Sequence, residues 1–300
     1  MKNIAILGGS KFIGLNLLLS LHKRGHKITL YNRNITIPSI KYPDDIILIV
    51  GDRNNSSDYK KLFIKYYDVV YDLSGYNLTQ VNPILMFYKK YIGHYIFCST
   101  TSVYKYTNNP PYNEECAKVF NPNTYGGDKS LVEEVLLGHC LKYNWPVTIF
   151  RPQGVFGKYD PWQAGYIYYR LIQNLPIYIF PEYKYRINPL FIEDFVSALI
   201  LAIDMKNSYG SVYNVAGDDV VNNLEFVELC GFLSSYKLKL QYIKTPNSHA
   251  RYDTGKSWLT HDIVADSTKI KSQLGVQYTA LEHALKKTYD WLSANQSNYN

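Results

Sequence analysis

Short apolar runs alternate with amphipathic stretches along most of this chain. Lys2–Leu7, Lys27–Tyr31, Ile46–Val50, Asp68–Leu73, Tyr95–Cys98, Val147–Phe150 and Val212–Ala216 read as strands. Helical spacing falls on Phe12–Arg24, closed by Gly25, and on Leu78–Lys90 and about Tyr125–Tyr143. It returns near Ile192–Asp204, Leu224–Ser234 and Leu281–Leu292. Nearly continuous apolar strands joined by helices predict a parallel sheet covered on both faces, a doubly wound α/β fold.

After Arg151 the rhythm loosens. RPQGVFGKYDPWQAG reads as loop, and prolines recur at 161, 176, 181 and 189. The expected division is a sheet domain over 1–157 with a return at about 188–216. Residues 158–187 and 217–300 then form a smaller lobe, interleaved with the sheet domain and covering its C-terminal edge.

Composition narrows the class. The chain has 300 residues, 46% of them hydrophobic, enough for a substantial core. No apolar run approaches the roughly 20 residues needed to span a bilayer. The first residues run directly into a strand pattern without a signal-like segment, and Cys98, Cys116, Cys140 and Cys230 are scattered, which together read as a cytoplasmic chain with reduced thiols. Seven histidines show no metal-ligand spacing, so no metal site is expected. The net charge of +7 comes from dispersed lysines, with no basic tract interleaved with aromatics as nucleic-acid binding would favour. Glu114 and Glu115 read as a solvated acidic turn, and Glu193 and Asp194 as caps of the helix that follows them.

IAILGGSKFIG, Ile4 to Gly14, is a strand, a glycine turn and a helix start. Backbone N–H groups at such a helix start favour a pyrophosphate. Gly8 permits the turn and Gly14 the close helix–sheet contact, with Ser10, Lys11, Phe12 and Ile13 between them. Lys11 replaces the usual middle glycine; it suits an αR backbone, and its ammonium is long enough to reach a phosphate. Strand two ends in Asn32 and Arg33, where an NAD site usually offers an acid. A guanidinium there accommodates a 2′-phosphate, so the cofactor reading is NAD or NADP with a lean to NADP. Asp52 and Arg53 follow strand three, with Asp52 a candidate acceptor for the adenine amino group.

With 30 tyrosines and 25 lysines, chance supplies about as many Tyr-x-x-x-Lys pairs as the two present, Tyr125/Lys129 and Tyr252/Lys256. Context separates them. Tyr125-Gly-Gly-Asp-Lys129 opens the amphipathic SLVEEVLLGHC, so both side chains share one helix face. Tyr252 and Lys256 lie in a polar, turn-like stretch. A free phenol has a pKa of about 10, and a neighbouring ammonium together with a nicotinamide's positive charge favours phenolate. Tyr125 is then able to take a hydroxyl proton while hydride leaves the same carbon. STTSVY places Ser99, Thr100, Thr101 and Ser102 at the carboxyl end of a central strand, where open sheets bind ligands.

GGSKFIG, DLSG, STTSVY, YGGDK, RPQGVFG, PLFIEDF, YNVAGD and the tail ADSTKIKSQLGV…LEHALKKTYDW occur in order nearly end to end. Together they resemble an extended, atypical short-chain dehydrogenase/reductase of the NAD-dependent epimerase/dehydratase family, with its Rossmann sheet. The resemblance implies Thr100, four residues before Tyr104, as catalytic partner to Tyr125 and Lys129. It implies that Leu73, Ser74 and Gly75 of DLSG contact the cofactor, and that Pro152 and Val155 line the nicotinamide pocket. Thr101, Ser102 and Gln153 are then substrate contacts. Arg186, with its neighbour Lys184, and Arg251 are the candidate anchors for a nucleotide diphosphate, since fork-shaped donors match phosphate oxygens.

The departures carry meaning. Dehydratases of this family tend to place an Asp-Glu pair after the catalytic threonine; Thr101 and Ser102 stand there, which favours epimerisation or keto reduction over dehydration. Lys11 matches a branch that writes GGTRFIG and includes chloroplast stem-loop RNA-binding proteins. The expected function is therefore NAD(P)-dependent epimerisation or keto reduction of a nucleotide-activated sugar. The alternative is an RNA-binding protein on the same scaffold. The partner is a small-molecule nucleotide sugar with no membrane, and a homodimer is compatible with the family.

Overall fold

The computed structural model describes residues 1–35, 40–107, 109–179, 184–242 and 261–295. Strands β1 (Asn3–Leu7), β2 (Lys27–Asn32), β3 (Ile47–Val50), β4 (Tyr67–Asp72), β5 (Ile92–Cys98) and β6 (Val147–Pro152) form most of one sheet. Three short pairs flank it: β7 (Val155–Phe156) with β10 (Leu190–Phe191), β8 (Ile177–Ile179) with β13 (Leu240–Tyr242), and β9 (Arg186–Ile187) with β12 (Val221–Asn222). The seventh sheet strand is β11 (Ser211–Val215). Spatial order is β3-β2-β1-β4-β5-β6-β11, every pairing parallel. The order reverses between β1 and β4, and ligands bind at such switch points outside the strands' carboxyl ends.

Alternation decides which side chains face which layer. Ile4, Ile6, Ile28, Leu30, Val69 and Tyr71 point to one face, where the Phe12–Lys23 and Ile192–Leu201 helices cover them. Ala5, Leu7, Tyr31, Val70, Tyr95 and Phe97 point to the other, against Val132 and Leu136 of the Tyr125–Tyr143 helix. Each fully buried aliphatic or aromatic side chain contributes about 1.5–3 kcal/mol, so a one-residue slip in any central strand would forfeit several such terms. The first face is continuous with the C-terminal helices: Tyr168, Leu171, Phe226, Ile270 and Leu285 belong to the same apolar cluster.

Some expected elements change. The Leu78–Lys90 helix is broken into Leu78–Val81, a 3₁₀ turn at Asn82–Met86 and Tyr88–Tyr91, because Pro83 cannot continue an α-helical ladder. An Ala164–Ile172 helix that the sequence reading did not place begins at the end of the expected loop, and its buried face is Ala164, Gly165, Ile167, Tyr168 and Leu171. Asp160 anchors that helix start by accepting from the backbone N–H groups of Trp162, Gln163 and Gly165 at 2.8–3.2 Å. Glu193 and Asp194 do not cap their helix: Phe191 is the cap residue and makes no side-chain cap bond. Asp194 instead accepts from Thr279, and Glu193 pairs with Lys158 and Lys287.

Candidate active site

The glycine turn leaves β1 with Gly8 at φ +92° and enters the helix at Phe12. A Cβ on Gly14 would lie 2.2 Å from the Gly8 carbonyl oxygen, so only glycine lets this helix start sit on the turn. The helix carries no side-chain cap and no acid in its first turn, which leaves its orphan N–H groups free for an anion. Lys11 is exposed and extended (φ −139°, ψ 161°), not αR as its sequence suggested; Phe12 takes the positive φ of +41° instead. The Phe12 ring belongs to the core, edge-on to Trp162, so its side chain is no ligand contact; Ile13 also packs against that core.

A cavity of about 310 Å³ opens beside the turn, lined in part by Gly8, Ser10, Asn32, Arg33, Asp52 and Ser74. Its size is in the range of small-molecule sites. Asn32 donates to Ser10 at 2.9 Å, which fixes the end of β2 to the turn. Arg33 is exposed and has no hydrogen bond or ion pair with the described residues, so its guanidinium is available. Asp52 accepts from the backbone and side chain of Asn54 through one oxygen.

Arg53 also lines this cavity, and its guanidinium is tied into the protein. Its two terminal nitrogens each donate to Asp72 at 2.8 Å, and one also reaches Ser74 at 2.7 Å. Asp72 is fully buried and accepts further from Tyr95 at 2.6 Å and from the Gly75 N–H at 2.8 Å. Burial alone would raise its pKa; the Arg53 guanidinium and the Tyr95 hydroxyl hold it below the ordinary carboxylate range. Arg53 therefore braces the cavity floor, and removing one partner of such a pair typically costs about 3–5 kcal/mol. Leu73 packs against the core, while Ser74 donates onward to the Leu7 carbonyl.

At the end of β5, Thr100 accepts from the Ser102 N–H and donates to its hydroxyl. The Tyr125–Tyr143 helix begins against this turn. A Cβ on Gly126 would fall 1.9 Å from the Ser102 carbonyl oxygen, so the Tyr-Gly-Gly sequence brings the helix start onto the strand end. That approach brings Tyr125 to the Thr100 side of the strand end, close enough for the Thr100 hydroxyl to favour its phenolate. Lys129, one turn on, is buried at 2% exposure and donates to the Cys98 carbonyl at 2.5 Å.

The electrostatics differ from expectation in one respect. Although the Tyr125 residue is half exposed, desolvation of its hydroxyl lifts the phenol above its ordinary range. The Cys98 thiol and Tyr76 phenol add to the rise, and the Thr100 contact opposes it. The ammonium expected to lower it is turned to Cys98, and burial lowers its own pKa.

Thr101 and Gln153 hydrogen-bond to each other and are both buried, so these two expected substrate contacts satisfy one another. Pro152 ends β6, and its carbonyl lies 3.5 Å from the Thr101 hydroxyl; Val155 sits in β7, half-buried. Arg186 lies elsewhere, in a cavity of about 330 Å³ with Lys184, His261 and Asp262. Asp262 takes up its fork, at 2.9 Å from Nε and 2.6 Å from Nη2, so a diphosphate there would have to displace a carboxylate. Arg251 lies outside the described residues, as do Tyr252 and Lys256.

Sequence reasoning missed Tyr31, Asn54, Tyr76 and Gln80, all on the cavity beside the glycine turn. Tyr31 and Tyr76 directly adjoin Asn32 and DLSG, a signal that was available. It also missed a buried network beneath Thr100. Glu133 accepts from Ser99 at 2.6 Å, from Arg151 at 2.9 and 2.6 Å, and from Lys118 at 3.1 Å. Arg151 donates in turn to Tyr104, which donates to Asn214 at 2.6 Å. Glu114 joins it through the Asn214 N–H, so it is not the solvated acid expected of it. Among the described residues, no group of three or more His, Cys, Asp or Glu side chains is placed to hold a metal ion, and no helix is long and apolar enough to cross a membrane.

A switch-point cavity over a glycine turn, beside a Thr-Tyr-Lys cluster, defines a dinucleotide-dependent class of α/β protein. The chain belongs to the NAD dependent epimerase/dehydratase family, whose model matches residues 4–216. It is 29% identical over 235 residues to the chloroplast stem-loop binding protein of 41 kDa b from Arabidopsis thaliana, covering 73% of this chain and 60% of that protein. It is 27% identical to a UDP-N-acetyl-alpha-D-glucosaminuronate decarboxylase from Bacillus cytotoxicus, over 73% of this chain and 76% of the other. A dTDP-D-glucose 4,6-dehydratase from Mus musculus is 24% identical over 99% of this chain and 90% of the other. With that relative in view, kinship gives no ground for setting dehydration aside. Two solved structures share the fold: a dTDP-glucose 4,6-dehydratase from Bacillus anthracis in complex with NAD, and a UDP-glucose 4-epimerase from Thermotoga maritima with UDP-glucose. The first has TM-score 0.85 at 19% identity, covering 100% of this chain and 99% of the other. The second has TM-score 0.82 at 19% identity, over 98% and 99%.

Proposed function

We propose that this chain is an NAD(P)-dependent enzyme that acts on a nucleotide-activated sugar, by epimerisation or by reduction of a keto sugar. The observation that carries this reading is the close seating of the helix start that bears Tyr125 on the Thr100–Ser102 turn, with Lys129 buried one turn on, next to the glycine-turn cavity. The uncapped helix start and the space beside Gly8 fit a pyrophosphate, and Ser10, Asn32, Arg33 and Asp52 would hold the adenosine end. Available Arg33, with no acid at the end of β2, supports the lean to NADP. In the same reading residues 1–157 and 188–216 carry the cofactor, and 158–187 with 217–300 form the substrate lobe.

The roles follow from the chemistry. The bound nicotinamide supplies a hydride acceptor and a positive charge that favours phenolate. Thr100 holds the reacting oxygen, and Tyr125 takes or returns its proton. Lys129 turns from Cys98 towards the cofactor ribose and the phenol. Ser102 reaches the sugar from the same turn.

The test has two parts. Mass spectrometry of small molecules released from the freshly denatured protein distinguishes a retained NAD(H), expected of an epimerase, from an empty site that binds NADPH in titration, expected of a reductase. A panel of UDP- and dTDP-sugars and their keto forms, dTDP-glucose included, then finds the reaction. The likeness to the chloroplast stem-loop binding protein supports a second reading. No turnover on the panel together with tight binding of structured RNA would establish it.

A further inference from the structure

Lys129 is an ammonium with little water around it. Its Nζ has the Cys98 carbonyl at 2.5 Å, the Phe97 ring at 4.6 Å and the Tyr76 ring at 5.4 Å. Two of these neighbours, Phe97 and Cys98, belong to the buried core of β5 and cannot give way. Tyr76 is different: it comes from the segment after β4 and is 52% exposed. The same ring lies 6.1 Å from the Tyr125 ring and lines the cavity beside the glycine turn. One side chain thus touches the cavity, the lysine and the tyrosine.

We propose that Tyr76 is a positioning residue, closing with Phe97 an aromatic cage that keeps Lys129 charged and aimed along the Tyr125 side of the site. An ammonium over a ring face gains roughly 0.5–2 kcal/mol of electrostatic attraction, more as it loses water. The other charged and titratable groups facing Lys129 are the Cys98 thiol, Asp72 and Glu133, which favour its charge, and Arg53, which opposes it. None of them is altered by a change at position 76. What the lysine does in turnover rests on the proposed function; the cage is a property of the chain itself.

The test is a titration of Lys129 by 1H–13C NMR in lysine-labelled protein without added nucleotide, its signal assigned with a Lys129→Arg variant. Tyr76→Leu keeps apolar bulk but removes the ring face, so the Lys129 midpoint should fall by about 0.4–1.5 pH units. Tyr76→Phe keeps the face and should titrate with the parent. With an active substrate in hand, kcat of Tyr76→Leu should fall about 2- to 30-fold at unchanged sugar KM, the same interaction read as rate, with Tyr76→Phe near parental. An unmoved midpoint in Tyr76→Leu, or an equal fall in Tyr76→Phe, overturns the cage. A moved midpoint with unchanged kcat overturns the positioning role. A parent that shows the midpoint shift on substitution but turns over no sugar leaves the cage standing and removes the proposed function.

Discussion

Lys129 donates to the carbonyl of Cys98 at 2.5 Å, and this one bond ties the helix that carries Tyr125 to the strand end that carries Thr100. The two candidate catalytic hydroxyls come from segments about 25 residues apart in sequence, so their approach depends on how closely that helix seats on the strand end.

Gly126 and Gly138 test the seating from one helix. A methyl on Gly126 would meet the Ser102 carbonyl oxygen at 1.9 Å, whereas one on Gly138 has nothing within 4 Å. Gly126→Ala should push Tyr125 away from Thr100 and lower turnover by about 10²-fold, the scale of a 1 Å misplacement. Gly138→Ala should leave turnover unchanged and stabilise the fold by roughly 0.5–1 kcal/mol in urea titration. Equal activities for the two variants would contradict the seating.

Arg33 sets the second prediction. Arg33→Asp removes a free cation beside the cavity and adds a ribose acceptor, so the affinity ratio should move towards NAD. Calorimetric titration with NADPH and NADH reads the ratio, and an unaltered value would remove Arg33 from cofactor choice.

Much of this was legible before any coordinates. The parallel sheet followed from strands that are apolar on both faces, and the Tyr125–Tyr143 helix from its amphipathic spacing. What stayed hidden depends on partners distant in sequence. Nothing local says that Asp72, 19 residues on, comes beside Arg53. Arg186 is paired in the same way with Asp262, 76 residues away. The Ala164–Ile172 helix was masked by the prolines and glycines around it, and Asp160, whose carboxylate takes up N–H groups at its start, lies outside the helical pattern, before the cap residue Gln163. Lys11 was expected to take an αR backbone, while it is extended and the positive φ of the turn falls on its neighbour Phe12.

His94 predicts a pH dependence. It is buried on β5, with Nε2 at 2.8 Å from the Thr148 hydroxyl, and burial lowers its pKa from 6.5 to about 3. The folded chain therefore keeps it neutral while the unfolded chain takes up a proton below pH 6.5. Stability present above pH 6.5 is lost as pH falls towards 3, by about 2 kcal/mol at pH 5. Urea unfolding at pH 7.5 and 5 should show the parent losing about that much more than His94→Asn. Equal losses would mean that His94 is protonated in the fold.

The central claim is that Tyr125 moves the proton. Tyr125→Phe keeps the ring beside Tyr76 and deletes the phenol oxygen. General acid–base catalysis contributes about 10²–10⁴-fold, so kcat on an accepted nucleotide sugar should fall by at least two orders of magnitude. Cofactor affinity should change little, because the phenol acts mainly in the transition state. Tyr252→Phe, the other Tyr-x-x-x-Lys tyrosine, serves as the control and should match the parent. A Tyr125→Phe variant that turns over that sugar as fast as the parent would contradict the account.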